Sequence, residues 1–71
     1  MKFAVVARDP QIDLYRESDL YGVEIVEAED KDSAICISSF GEFQGLFVTA
    51  VECADDMELG ECELSDIRYK D

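Results

Sequence analysis

Seventy-one residues, 48% of them apolar, make one small domain spanning 1–71 with material for a single core, which excludes disorder as its resting state. Eighteen acids against six bases give a net charge of −12 and a pI near 4.1; this excludes nucleic acid and anionic membrane as direct partners and favours a basic protein surface. No apolar run approaches the roughly 20 residues of a membrane span. The run FAVVA near the start is too short for the core of a secretory signal, so the chain reads as soluble and cytoplasmic. Three cysteines, Cys36, Cys53 and Cys62, read as free thiols in a reducing compartment rather than as a disulfide framework.

KFAVVAR (2–8) sets Phe3, Val5 and Ala7 against Lys2, Ala4, Val6 and Arg8. Both sides are largely apolar, as in a strand near the middle of a sheet. Asp9-Pro10 ends it, and DPQIDLYRESDLYG holds either a short helix stopping before Gly22 or an irregular loop. GVEIVEA (22–28) alternates again, with Val23 and Ile25 on one face and Glu24, Val26 and Ala28 on the other. In EDKDSAICISSFG, Asp30 caps a helix whose first turn carries Asp32. Ser33, Ala34, Cys36, Ile37 and Phe40 share a stripe expected to face the core, and Gly41 is expected to terminate it.

GLFVTAVECA (45–54) reads as a central strand, with Phe47, Val51 and Cys53 on one face and Leu46, Val48 and Ala50 on the other. ADDMELGE is a turn region ending at Gly60, and ECELSDIRY (61–69) is a returning strand with Cys62 and Leu64 inward. Ile67 and Tyr69 fall on the opposite parity, which predicts a bulge near Ser65-Asp66. The expected fold is α+β: one antiparallel sheet of three to four strands packed with one or two short helices.

Little chemistry is written in the chain. Zinc sites draw ligands in close cysteine pairs backed by further cysteine or histidine. Here Cys53 and Cys62 stand nine positions apart and histidine is absent, so no metal site is expected. The acid-rich stretches EAEDKD and ADDMELGE lack the order of a calcium loop. Without histidine the commonest general base near neutral pH is missing, and GEFQG lacks the lysine and spacing of a phosphate loop. No catalysis and no cofactor are expected.

The acids themselves remain. One block holds Glu24, Glu27, Glu29, Asp30 and Asp32; a second holds Glu52, Asp55, Asp56, Glu58, Glu61, Glu63 and Asp66. A net charge of −12 exceeds the magnitude of about 2–8 that solubility asks of a small domain. Alternate residues of a strand lie about 6.5–7 Å apart, close to the through-space interval of phosphates on one DNA strand. The candidate partner-binding residues are Glu27, Glu29, Asp30, Asp32, Asp55, Asp56, Glu58, Glu61 and Glu63, facing the basic DNA-binding cleft of a protein or ribonucleoprotein complex. The competing reading is that carboxylates occupy solvated faces simply for solubility, in a domain that docks a partner by other means.

The length, the start KFAVVAR and the stretch VEIVEAEDKDSAICISSFGEFQGLFVTAVE resemble, in layout and charge, small acidic phage-encoded anti-CRISPR proteins. That group shares no signature motif, so no residue role transfers by position. The resemblance implies an inhibitor in the host bacterial cytoplasm that binds a CRISPR-Cas effector complex, type I by preference, and blocks target-DNA capture by mimicry; the chain is expected to be a monomer. An acidic decoy of another DNA-binding protein, such as a restriction nuclease, glycosylase or repressor, would use the same physics.

Overall fold

Five consecutive buried residues, Phe3 to Ala7, form the middle of β1 (Lys2–Arg8) in the computed structural model, which describes residues 1–9, 20–41 and 45–70. A strand apolar on both sides needs cover on both faces, and β1 has it. It lies between β2 (Leu20–Glu27) and β3 (Phe47–Glu52) in an antiparallel sheet of order β3-β1-β2-β4, where β4 is the short pair Gly60–Glu61. Val6, for example, stands between Val23 and Thr49. The α+β architecture expected from the sequence is therefore present. The expectation for residues 10–19 lies outside the described residues, but Leu20 and Tyr21 already belong to β2.

One face of the sheet is covered by α1 (Lys31–Ile37) and the chain that follows it. Phe3, Val5, Ala7 and Val26 meet Ala34 and Phe40 there, with Leu46, Val48 and Ala50 at the margin. Asp30 starts the helix as expected: its carboxylate accepts from the Ser33 N–H at 2.7 Å, replacing a partner the first turn cannot supply. The helix stops sooner than expected, because Ser38 turns extended while its hydroxyl donates to the Ile35 carbonyl at 2.7 Å. Phe40 thus reaches the core from beyond the helix. It packs edge-on against Tyr21 and so close to Gly22 that a Cβ there would lie 3.0 Å from the ring. A side chain at position 22 would make the Phe40 ring give way by a few tenths of an ångström. The predicted core stripe is corrected accordingly. With the helix two turns long and Phe40 off its wheel, the inward arc consists of Ala34 with half-buried Ile35 beside it, and Cys36 and Ile37 point to solvent.

The opposite face carries Ala4, Val6, Val23 and Ile25, and among the described residues no α-helix covers it. The chain after β3 does so instead, through Cys53, Met57 and Ile67, with Ala54 and Cys62 beside them. The expected hairpin between 45–54 and 61–69 does not form. β4 pairs with β2, Glu24 opposite Glu61 and Ile25 opposite Gly60, so the chain crosses the whole sheet from the β3 edge to the β2 edge. Met57 explains the crossing: it sits in a region read as a solvated turn, yet is buried on the bare face. Lys2 Nζ fastens it by donating to the Met57 carbonyl at 2.6 Å. Gly60, at φ +119°, makes the sharp entry into β4.

The return also differs from a bulged strand. A 3₁₀ turn at Leu64–Asp66 stands where the bulge was expected, and it resets the parity so that Ile67 is buried. Beyond it Cys53 pairs with Tyr69 in an isolated antiparallel bridge, flanked by Ala54 N–H to Arg68 C=O at 2.8 Å and Lys70 N–H to Glu52 C=O at 3.4 Å. β3 is consequently an edge strand, not a central one.

Candidate partner-binding surface

Strand direction decides where the acids go. Lys2 faces Glu27 and Phe3 faces Glu52, so β1 begins where β2 and β3 both end. Glu27, Glu29, Asp30 and Asp32 leave the end of β2; Glu52, Asp55, Asp56 and Glu58 leave the end of β3. Two blocks separated by some twenty residues in sequence thus come to the same end of the sheet. Glu61 stands apart, on the β4 edge, and Glu63 follows it toward the 3₁₀ turn. The expected rows of alternate strand residues are cut short: β2 ends at Glu27 and β4 at Glu61, so Glu29 and Glu63 lie beyond the ladders.

The acids are not equivalent. Arg68 bridges Asp56 at 2.9 Å, and Lys70 bridges Glu52 at 3.0 Å and Asp55 at 3.7 Å. The Lys70 ammonium is held above its ordinary pKa, chiefly by its hydrogen bond to Glu52. Asp30 is committed to the helix cap, and the Ser33 backbone N–H holds its pKa below the ordinary carboxylate value. Glu24, half-buried, accepts from both the N–H and the hydroxyl of Ser39, at 3.3 and 2.6 Å. Those two donors relieve the like-charge pair it makes with Glu61 directly opposite. Among the described residues, Glu27, Glu29, Asp32, Glu58, Glu61 and Glu63 form no ion pair, and all six are exposed.

Of the nine acids singled out from the sequence, these six are bare, Asp55 and Asp56 are paired at the surface, and Asp30 is structural. The sequence reading missed the pairing partners. Their signal was present in Arg68-Tyr69-Lys70, which puts two cations on alternate positions of a segment that could lie beside Glu52. Beside Glu27 and Glu29 the surface is not wholly polar. Met1, Ala28 and Ile37 join them and Ser33 in an open groove, and Ile37 is 60% exposed.

The thiols do not form a site. Cys53 and Cys62 pack on the face covered by the C-terminal segment, whereas Cys36 lies on the helix across the sheet. Burial pushes the pKa of Cys53 and of Cys62 up, away from thiolate chemistry. Among the described residues no three potential ligands gather to hold a metal ion. No helix among them is long and apolar enough to cross a membrane. No protein-family model, no curated protein and no solved structure matches this chain.

Proposed function

We propose that this protein is a non-catalytic inhibitor that places its bare carboxylates in the basic DNA-binding cleft of another protein or ribonucleoprotein complex. Each carboxylate stands where a DNA phosphate would, so inhibitor and DNA exclude each other. The observation that supports this reading most is the division of charge. Arg68 pairs with Asp56, Lys70 is shared between Glu52 and Asp55, and Lys2 is held by the Met57 carbonyl. Glu27, Glu29, Asp32, Glu58, Glu61 and Glu63 are left uncompensated and facing solvent. A fold needing acids only for solubility has no use for so large an unpaired excess. The resemblance to acidic anti-CRISPR proteins makes a CRISPR-Cas effector of type I, in the host bacterial cytoplasm, the preferred target; a restriction nuclease, glycosylase or repressor fits the same chemistry.

The test is competition. Labelled target DNA and this protein are added together to the purified effector, and occupancy of each is followed as salt rises. Binding should weaken steeply with salt, because steering between exposed charges is screened beyond about 8–10 Å at physiological ionic strength. Glu27→Gln, Glu29→Gln and Asp32→Asn together, or Glu58→Gln, Glu61→Gln and Glu63→Gln together, should abolish exclusion without unfolding the domain. Simultaneous occupancy by DNA and protein would rule the reading out. Binding undiminished in both triple variants and at high salt would favour an interaction module instead, for which the Met1–Ile37 groove is the place to look.

A further inference from the structure

Residues 28–30 turn the chain from the end of β2 onto α1. Ala28 stays tied to the neighbouring strand, its N–H donating to the Met1 carbonyl at 2.9 Å. α1 then lies on the sheet through Ala34. Ser33 and Ile37, one turn apart on the flank of that helix, border Met1 and Ala28. With Glu27 and Glu29 they line an open groove of about 470 Å³, within the range of about 300–1,000 Å³ that ligand pockets span.

Its lining is of two kinds. Met1, Ala28 and Ile37 offer hydrocarbon, and Met1 and Ile37 are both more than half exposed. Glu27 and Glu29 are exposed carboxylates, and among the described residues neither forms an ion pair, with the Met1 ammonium or any other cation. Two donors on the wall are already spent. The Ala28 N–H is held by Met1, and Ser33 gives its N–H, and turns its hydroxyl, to the Asp30 carboxylate. What a ligand meets is hydrocarbon flanked by negative charge.

We propose that this groove takes an arginine side chain of the basic partner, an inference that rests on the reading of such a partner above. The aliphatic stem lies on Met1, Ala28 and Ile37, and the guanidinium is held by the Glu29 carboxylate. Glu27 stands opposite Lys2 in the ladder and so shares the face of Lys2; it contributes its charge from the rim. Arginine suits this lining better than lysine. Its guanidinium is planar and weakly hydrated, so it lies against hydrocarbon at little cost and meets a carboxylate through two parallel N–H bonds. A compact ammonium keeps its water, and its stem alone gains less. The two acids and the net charge of −12 exclude an anionic ligand and a second copy of this chain alike. An arginine seated here also covers Ile37, which the fold leaves at the surface.

The probe is the peptide acetyl-Gly-Arg-Gly-amide, titrated into the isotope-labelled chain at physiological ionic strength, with acetyl-Gly-Lys-Gly-amide in parallel. NMR spectroscopy reads binding residue by residue and follows a single side chain held with a Kd on the order of 1 mM. The signals of Ala28, Glu29, Ser33 and Ile37 should shift and saturate together, about threefold more tightly with the arginine peptide. Those of Glu58 and Glu63, equally bare acids that do not line the groove, should drift without saturating. Ile37→Ser keeps every charge and removes the apolar wall, so it should weaken the groove response about fivefold. Glu29→Gln should weaken it by a similar factor. A response equal at all the bare acids, equal for the two peptides, or unchanged in Ile37→Ser would overturn the proposal, leaving only the diffuse attraction of a chain of net charge −12 for cations. Exclusion of DNA is measured on the effector and groove binding on the peptide, so either can fail while the other holds.

Discussion

Ile37 and Ile67 are the same side chain in opposite circumstances, and each contradicts its sequence pattern. Ile37 falls on the apolar stripe of a helical wheel but is 60% exposed, whereas Ile67 has the wrong parity for its strand and is 8% exposed. Ile67→Ala should therefore cost about 2–5 kcal/mol, the usual range for emptying a buried isoleucine site, and Ile37→Ala should stay within about 0.5 kcal/mol of neutral. Paired urea titrations of the two variants decide it. Equal losses would mean that α1 is seated differently on the sheet. Thiol chemistry checks the same assignment independently. A colorimetric thiol reagent should modify Cys36 rapidly in the native protein and half-buried Cys62 more slowly, while buried Cys53 reacts only as the domain opens. A fast Cys53 would place the C-terminal segment off the sheet.

At the level of elements, the C-terminal segment takes the role a second helix plays in many α+β folds. It shields Ala4, Val6, Val23 and Ile25 with little regular structure of its own. What holds it is a small set of contacts: Met57 and Ile67 in the core, the Lys2 clasp on the Met57 carbonyl, and the short pairing of 68–70 with the end of β3. Lys2→Met keeps the aliphatic stem and removes the donor. It should leave β1 intact but raise hydrogen exchange in 54–70 selectively. Exchange rising uniformly over the sheet would show that the segment and the sheet open as one unit. The helix depends on its cap in the same local way. Asp30→Ala should lower the melting temperature by a few degrees, and Asp30→Asn, which preserves the acceptor, should lower it less.

For the whole molecule, charge sets the response to solution conditions. A chain of net charge −12 in which, apart from the cap Asp30, seven exposed carboxylates among the described residues form no ion pair repels itself when compact, so its melting temperature should climb with ionic strength. EDTA should leave it unchanged in moderate salt, because the three thiols lie on opposite faces of the sheet. A fall on chelation that zinc alone restored would refute this. The pH dependence has a definite sign at each limb. Cys53 and Cys62 are raised by burial and Lys70 by its bond to Glu52; such groups stabilise fully below their ordinary values, and that stability is lost as pH rises through the folded ones. Asp30 is lowered, so its contribution is present above the ordinary carboxylate value and lost as pH falls through the folded one. Stability should decline on the alkaline side, and Cys53→Ala with Cys62→Ala should flatten the thiol part of that decline. An unchanged alkaline slope would show that neither thiol is held neutral by burial.

Local periodicity was enough to place β1, β2, β3 and α1, with Asp30 as cap and the two faces of β3 correctly sorted, because alternation and capping are written in adjacent residues. The acidic excess was equally legible, since composition needs no fold. Which acids stand bare was not. Arg68 and Lys70 reach Asp56, Glu52 and Asp55 only because the chain comes back beside β3, and that return depends on a sheet face that Cys53, Met57 and Ile67 cover. The same apolar face drew Met57 out of an apparent surface turn, carried Glu61 to the β2 edge and left β3 at the other. Sequence determined β1, β2, β3, α1 and the charge; how the chain after β3 is laid out, and which edges and which carboxylates stay open, were decided by tertiary packing, because a residue's exposure depends on what the rest of the chain brings against it.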